Sequence, residues 1–430
     1  MIEALYEKFL KSKGVSTDTR DIQKDTIFFA LKGPNFNANS FAGEALEKGA
    51  SYVVIDDESY KVDDRCVVVS DSLKALQELA NFHRKKLKIP VIGITGTNGK
   101  TTTKELIHAV LSKKFNTLAT EGNLNNHIGV PLTLLSIGKK VEIAIIEMGA
   151  SKIGDIAELC QIAEPTHGLI TNIGKGHTEG FGGIDGVIRG KSELYQYLLE
   201  TNGKVFINSN NEILSNMAKR FERPYMYPAY ADYYHCQLVT ADPFLVIKSE
   251  AGNLVETNLI GDYNFENIAA ALCIGKFFDV PPKKANRGIS QYSPKNNRSQ
   301  ISKIGSNTVI LDAYNANPNS MQAAINNLAS MESENKVAIL GDMKELGDIS
   351  EEEHRQIGAL TKEKSFKKVL YCGALMKCAK EIDSHALYFE DRERLKAYLK
   401  EHEIKNSLVL IKASRSMGLE DVVGDLEAGS

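Results

Sequence analysis

Apolar positions along the chain fall into two patterns: short unbroken β-branched runs, and stretches in which they recur every three or four residues. The first pattern predicts buried strands and the second predicts helices packed on them. In residues 1–88 the strand-like runs are Thr26-Ile-Phe-Phe-Ala-Leu31, Tyr52-Val-Val-Ile55 and Cys66-Val-Val-Val69. A helix follows from Ser72 to Ala80, capped by Asp71 or Ser72. Residues 89–293 contain the runs around Val91, Ile92 and Ile94, then Val141-Glu-Ile-Ala-Ile-Ile146, His167-Gly-Leu-Ile170 and Lys204-Val-Phe-Ile-Asn208. Between 233 and 262 the runs shorten and alternate around the turn Glu250-Ala-Gly-Asn253, which predicts a small antiparallel insertion. Residues 294–430 alternate cleanly, with strands at 307–312, 336–341, 368–372 and 407–412. The helix after the first carries Met321, Ile325, Leu328 and Met331 on one face. The pattern predicts an α/β chain of three domains, 1–88, 89–293 and 294–430, the last a doubly wound parallel sheet.

Composition removes several alternatives. The 430 residues carry a formal net charge of −3, so no general affinity for nucleic acid or anionic membrane is expected. No apolar run approaches the length of a membrane span, and the N-terminus lacks the apolar core of a signal peptide. The six cysteines are scattered, and even the spacing of Cys372 and Cys378 fits neither a redox pair nor a zinc knuckle. They read as reduced thiols of a cytosolic protein.

Candidate chemistry concentrates in residues 89–103. There a buried strand runs into Gly96-Thr-Asn-Gly-Lys-Thr-Thr102 and a helix begins. Glycines let backbone N–H groups approach phosphate oxygens, and the helix N-terminus adds a favourable dipole. Lys100 is placed to reach the outer phosphates and the Thr101 hydroxyl to reach Mg²⁺. The spacing departs from the common G-x-x-x-x-G-K-[ST], since Gly96 stands three residues before Gly99. Glu147 ends the second strand, as a Mg²⁺ ligand or a solvent-facing end. His177 and Glu179 lie in a glycine-rich loop after the third strand, where ligands collect. Lys191, from sequence alone, is a helix lysine. Asn264 and Asn267 begin a helix, as caps or as partners for a base edge. The polar loops Ser16-Thr-Asp-Thr-Arg20 and Lys32-Gly-Pro-Asn-Phe-Asn-Ala-Asn39 read by themselves as turns. Arg84-Lys-Lys-Leu-Lys88 reads as a solvated helix end.

Together these stretches resemble the Mur ligase family, ATP-dependent amide-bond ligases of bacterial cell-wall synthesis. The likeness runs from Thr17 to Val423. It is carried by the phosphate loop, by Gly122-Asn-Leu-Asn-Asn-His-Ile-Gly-Val-Pro131, by Asp312-Ala-Tyr-Asn-Ala-Asn-Pro-Asn-Ser-Met321, by Leu340-Gly-Asp-Met-Lys-Glu-Leu-Gly347 and by Lys412-Ala-Ser-Arg-Ser-Met417. The last three point within the family to the branch that adds D-alanyl-D-alanine to UDP-N-acetylmuramoyl-tripeptide. The resemblance implies a uridine-nucleotide domain, a central ATPase and a C-terminal Rossmann-like domain, in a cytoplasmic, monomeric enzyme of peptidoglycan synthesis. It implies ATP and Mg²⁺ as cofactors. Gly96, Thr97, Asn98, Gly99, Lys100, Thr101 and Thr102 would hold the ATP phosphates, and Thr101, Glu147 and His177 the metal. Lys191 falls where the family places a carbamylated lysine. Asn264 and Asn267 would meet the adenine, Asp312 the ribose and Arg298 the γ-phosphate. Thr17, Asp18, Thr19, Arg20, Lys32 and Gly33 would contact the UDP part, and Asn126 the muramoyl part. Lys344, Ser414 and Arg415 would lie near the dipeptide. Tyr263 stands where relatives often have His, Asn297 where Gly is frequent, and Leu311 replaces a first Asp. The rival readings are a sister Mur ligase, a folylpolyglutamate synthetase-like ligase and a non-catalytic nucleotide-binding protein.

Overall fold

The unbroken apolar runs become strands because helices cover both faces of each large sheet. The computed structural model describes residues 1–295 and 297–426. The end of the predicted 294–430 domain, residues 427–430, lies outside the described residues. The first sheet is parallel, in the order Val15–Ser16, Ile27–Phe29, Tyr52–Ile55, Cys66–Val68. The second has six parallel strands, ordered Tyr225–Tyr227, Lys204–Asn208, His167–Ile170, Val91–Thr95, Ile143–Glu147, Thr117–Ala119. The predicted insertion is present as an antiparallel sheet of Gln237–Thr240, Val246–Lys248 and Leu254–Glu256.

The last sheet is ordered Gln300–Ile304, Asn307–Asp312, Leu408–Lys412, Lys336–Gly341, Lys368–Cys372, Leu387–Phe389. Its first strand is antiparallel to its neighbour and the rest are parallel. The sequence pattern missed both outer strands. The first is half polar and the last has only three residues, so neither forms an apolar run.

The joints between the units differ physically. Helix Ser72–Lys86, capped by the Asp71 carboxylate, buries Leu76 and Leu79 in one continuous core with Val130, Leu134, Ile156 and Leu159 of the central unit. Arg84 is not a solvated end. It is 6% exposed, and its guanidinium donates to the carbonyls of Ala163, Glu164 and Leu87 at 2.8–2.9 Å. That satisfies carbonyls left over at the C-terminal end of helix Asp155–Ala163. The first two units are therefore welded by apolar burial. Among the described residues the third has its own cores and shares with the central unit only Ile260 among its fully buried apolar residues. Its remaining junction is polar, the kind of interface that permits rotation.

Candidate functional site

The carboxyl ends of the central strands open into a cavity of about 1410 Å³, roofed by the third unit. Gly96, Thr97 and Asn98 lead from strand Val91–Thr95 into helix Lys100–Leu111. Two glycines are obligatory there. Gly96 has φ +145 and a Cβ on it would lie 2.0 Å from Thr171 Oγ1. Gly99 has φ +77 and its Cβ would lie 2.7 Å from Asn267 Oδ1. The loop is fixed by the neighbouring strand's exit: Thr97 N–H donates to the Asn172 carbonyl and Asn98 N–H to Asn172 Oδ1, both at 2.9 Å. Lys100 folds back over the loop, its Nζ donating to the Gly96 and Thr97 carbonyls at 2.7 and 3.0 Å. Burial pushes the Lys100 ammonium down to about 8, against the attraction of Glu147 and with repulsion from Arg298. Thr101 and Thr102 line the same wall.

Glu147 is 1% exposed. Its Oε1 accepts from Asn125 Nδ2 at 2.9 Å, and its Oε2 is buried without a hydrogen-bond partner. A buried carboxylate oxygen lacking a donor is a costly arrangement that a hard cation resolves. With the nearby Thr101 hydroxyl, this donor set fits Mg²⁺, which takes few protein ligands and completes its shell with water and phosphate. No group of three or more His, Cys, Asp or Glu side chains that could cage a metal occurs among the described residues. His177 also lines the cavity, but its Nδ1 lies 2.5 Å from Glu345 Oε2. Burial holds its imidazole below the usual range, with Glu345 opposing and Lys100 and Lys191 assisting.

Asn264 and Asn267 border the cavity, yet their amides are committed within the protein. Asn267 Oδ1 accepts from the Thr103 hydroxyl and its Nδ2 donates to Asn264 Oδ1, both at 2.9 Å. Asn264 Nδ2 donates to the Ile260 carbonyl. These bonds tie the two helices that flank the phosphate loop. Asn126 borders the cavity too, and its Oδ1 accepts the N–H groups of Ile128 and Gly129.

The third unit supplies Arg298, Asp312 and Arg415 to the cavity wall. The Arg298 guanidinium stacks 3.7 Å from the Tyr314 ring centroid, which fixes its direction. Asn297 has φ +57, which explains the residue choice: asparagine, like glycine, tolerates this region. Asp312 accepts from the Lys412 ammonium at 2.6 Å and from Ser299 N–H at 3.2 Å. Tyr263, in the departing position, is half-buried and its hydroxyl lies 2.9 Å from Ser299 Oγ. Polar contacts missed by the sequence reading bridge the units, the bond from Lys175 N–H to Asn319 Oδ1 at 2.8 Å among them. Asn98 and Asn317 exchange amide bonds at 2.7 and 3.3 Å, Lys175 pairs with the buried Glu353 at 2.6 Å, and Thr178 Oγ1 donates to the Leu346 carbonyl.

Other expected residues stand apart from the cavity lining. Lys191 is 1% exposed and its Nζ donates to the Ala150 carbonyl at 3.3 Å. Lys344 pairs with Asp342, and Ser414 Oγ accepts the Lys344 N–H at 3.0 Å. Thr17, Asp18, Thr19 and Arg20 follow strand Val15–Ser16, and Lys32 and Gly33 follow the adjacent Ile27–Phe29, so both segments leave the carboxyl end of the first sheet. Arg20 chelates the Asp18 carboxylate and holds it down to about 2. Lys32 Nζ lies 2.8 Å from Asp56.

The chain is similar to known proteins over nearly its whole length. The Mur ligase middle domain matches residues 94–275, and the Mur ligase, glutamate ligase domain matches residues 297–415. The UDP-N-acetylmuramoyl-tripeptide--D-alanyl-D-alanine ligase of Bacillus subtilis is 37% identical, over 96% of this chain and 93% of its own length. The structure of MurF from Acinetobacter baumannii superposes with a TM-score of 0.89 at 28% identity, covering 99% of this chain and 98% of its own. MurF ligase from Thermotoga maritima, solved in complex with ADP, has a TM-score of 0.85 at 26% identity, covering 97% and 98% respectively.

Proposed function

The chain belongs to the Mur ligase family, and on that premise we propose that it joins D-alanyl-D-alanine to UDP-N-acetylmuramoyl-tripeptide at the expense of ATP. The observation that carries this reading is a phosphate loop whose cavity is completed by Arg298, Asp312 and Arg415 from the third unit. A substrate carboxylate oxygen attacks the γ-phosphorus of ATP, and ADP leaves. The amine of D-alanyl-D-alanine then attacks the acyl phosphate carbonyl, phosphate leaves, and the amine gives up a proton. A bare carboxylate is a poor acylating agent, and phosphorylation supplies its leaving group.

Two anions must meet in the first step, so the chain has to neutralise charge. Lys100 and the N–H groups of residues 96–102 hold the phosphates, and Arg298 meets the γ-phosphate from the opposite wall. Thr101 and Glu147 would hold Mg²⁺, which when bound spreads phosphate charge; His177 is the lesser candidate, since Mg²⁺ prefers oxygen. Asn264 and Asn267 would border the adenine and Asp312 the ribose. The UDP part would lie at the end carrying Thr17, Asp18, Thr19, Arg20, Lys32 and Gly33, and the muramoyl part near Asn126. Arg415, with Lys344 and Ser414 behind it, would face the dipeptide. The working state is a monomer in the cytoplasm. Among the described residues no helix is long and apolar enough to cross a membrane.

The test is phosphate release from MgATP and UDP-N-acetylmuramoyl-tripeptide with and without D-alanyl-D-alanine. Release that needs both, with a pentapeptide product by mass, is the expected result. Release only with a single amino acid and a shorter acceptor would move the chain to a sister ligase.

Closure makes a second prediction. Asn317 caps helix Pro318–Ser330 through Oδ1 and clasps Asn98 through Nδ2. Asn317→Asp keeps the cap but has no hydrogen to donate to Asn98 Oδ1. Turnover should fall several-fold with thermal stability unchanged, whereas Asn317→Ala loses the cap too, about 1 kcal/mol. Full turnover in Asn317→Asp would remove the clasp from the mechanism.

A further inference from the structure

The segment that meets His177 from the third unit is held at its root by Ser414, which accepts the Lys344 N–H and donates its own N–H to the Asp342 carbonyl, and by a buried histidine that accepts the Met343 N–H. Residues 342–347 leave strand Lys336–Gly341 and cross to the central unit. Glu345 lies against His177, its carbonyl accepts the Glu179 N–H, and the Leu346 carbonyl accepts from Thr178. Both facing residues are in the left-handed region, His177 at φ +56 and Glu345 at φ +62. Such backbone persists only where its surroundings fix it.

His354, on helix Ser350–Glu363, is fully buried beneath this segment. Its Nδ1 lies 2.6 Å from the Ser350 carbonyl, which only accepts, so Nδ1 bears the hydrogen. Its Nε2 lies 3.1 Å from Met343 N–H, which only donates, so Nε2 presents a lone pair. The two contacts select the neutral Nδ1–H tautomer. Protonation would set a second N–H against the Met343 N–H.

We propose that His354 is a positioning residue for the ligase reaction: its neutral Nδ1–H tautomer holds Met343 and thereby seats Glu345 and Leu346 on the His177 loop when the third unit closes. The role rests on the ligase reading given above. The charged groups facing His354 are Asp342 and Lys344 from the segment and Glu353 from its own helix, Glu353 being paired with Lys175. Burial lowers the imidazole pKa, with Lys344 assisting and the Ser350 carbonyl, Asp342 and Glu353 opposing, so the neutral form persists at pH 7 and is lost as pH falls.

Two measurements decide it. In the full chain labelled with ¹⁵N-histidine, long-range ¹H–¹⁵N correlation reads each tautomer, and the His354 signals are those missing from His354→Gln. The Nδ1–H neutral form at pH 7.5 is expected; the Nε2–H form or an imidazolium overturns the proposal. This reading needs no substrate, so it stands or falls apart from the ligase assignment. In the turnover assay, His354→Phe should lower kcat about tenfold or more, the scale of a displaced contact at a closing site, with ATP KM little changed. His354→Gln, whose Oε1 replaces the acceptor, should restore most of kcat and flatten the acid limb of the pH profile. Wild-type kcat in His354→Phe, or folded His354→Gln no better than His354→Phe, overturns it.

Discussion

Lys100→Ala is expected to lower ADP production at saturating substrates about a hundredfold to a thousandfold, the usual consequence of removing one preorganised stabiliser of transition-state charge. Lys100 is the first residue of the phosphate-loop helix, and among the described residues its ammonium bonds only to two carbonyls of the loop it serves. The swing needed to meet a phosphate is therefore short. Its lowered pKa means that the free chain holds this cation against desolvation, and an arriving polyanion relieves that penalty. The cation is present below pH 8 and is lost above it in the free chain, while bound phosphates would raise the titration. The alkaline limb of kcat/KM should accordingly fall near pH 8, and that of kcat higher. Because Lys100 supports no side chain of the core, the variant should melt like the parent. Near-normal turnover in a folded Lys100→Ala would remove the phosphate loop from the chemistry.

What the sequence disclosed was local. The phosphate loop, the strand ends at Glu147 and Asp312 and the doubly wound third sheet follow from runs of neighbouring residues, because period and turn chemistry are written in short windows. Partners across the molecule are not written that way. Asn98 and Asn317 are 219 positions apart, and each reads alone as a loop or cap residue. Lys412 looks like a strand-end lysine until its strand lies beside that of Asp312. Arg84 sits in a basic run that looks solvated, and only tertiary packing against helix Asp155–Ala163 gives its guanidinium the carbonyls of Ala163 and Glu164 beside the local one of Leu87. The sequence does not distinguish the boundaries near 88 and 294 for the same reason: apolar burial joins one, while polar contacts dominate the other. One signal for the clasp was available, since Asn317 belongs to a motif whose polar residues exceed what a helix cap requires.

Lys191→Ala should lose turnover about a hundredfold or more, and small carboxylic acids should restore part of it. Lys191 is a buried amine that makes no ion pair among the described residues. Asp155 and Glu193 stand near Lys191, but both carboxylates are committed to backbone. Asp155 accepts the N–H groups of Ser151 and Lys152, and Glu193 those of Gly154 and Ala157. Lys191 Nζ is left with the Ala150 carbonyl at 3.3 Å and the Phe181 ring at 5.2 Å. Burial, aided by Lys100, pushes its ammonium down to about 7, against Asp155 and Glu193. Near neutral pH a far larger share of this side chain is then a neutral nucleophile than of an ordinary lysine, which is almost wholly protonated. A neutral amine adds to CO₂: the nitrogen–carbon bond forms, one proton leaves to solvent, and the product is a carbamate anion. An anion there removes the burden of a buried, poorly paired cation and faces Lys100 with opposite charge. It would also give the metal region a second carboxylate beside Glu147. Alanine leaves space that acetate or formate can enter, supplying the missing oxygens without the tether. Bicarbonate should raise parent activity after CO₂ depletion and leave Lys191→Ala unmoved. A fully active Lys191→Ala, or a parent indifferent to CO₂ with a variant indifferent to carboxylates, would reduce Lys191 to a packing residue.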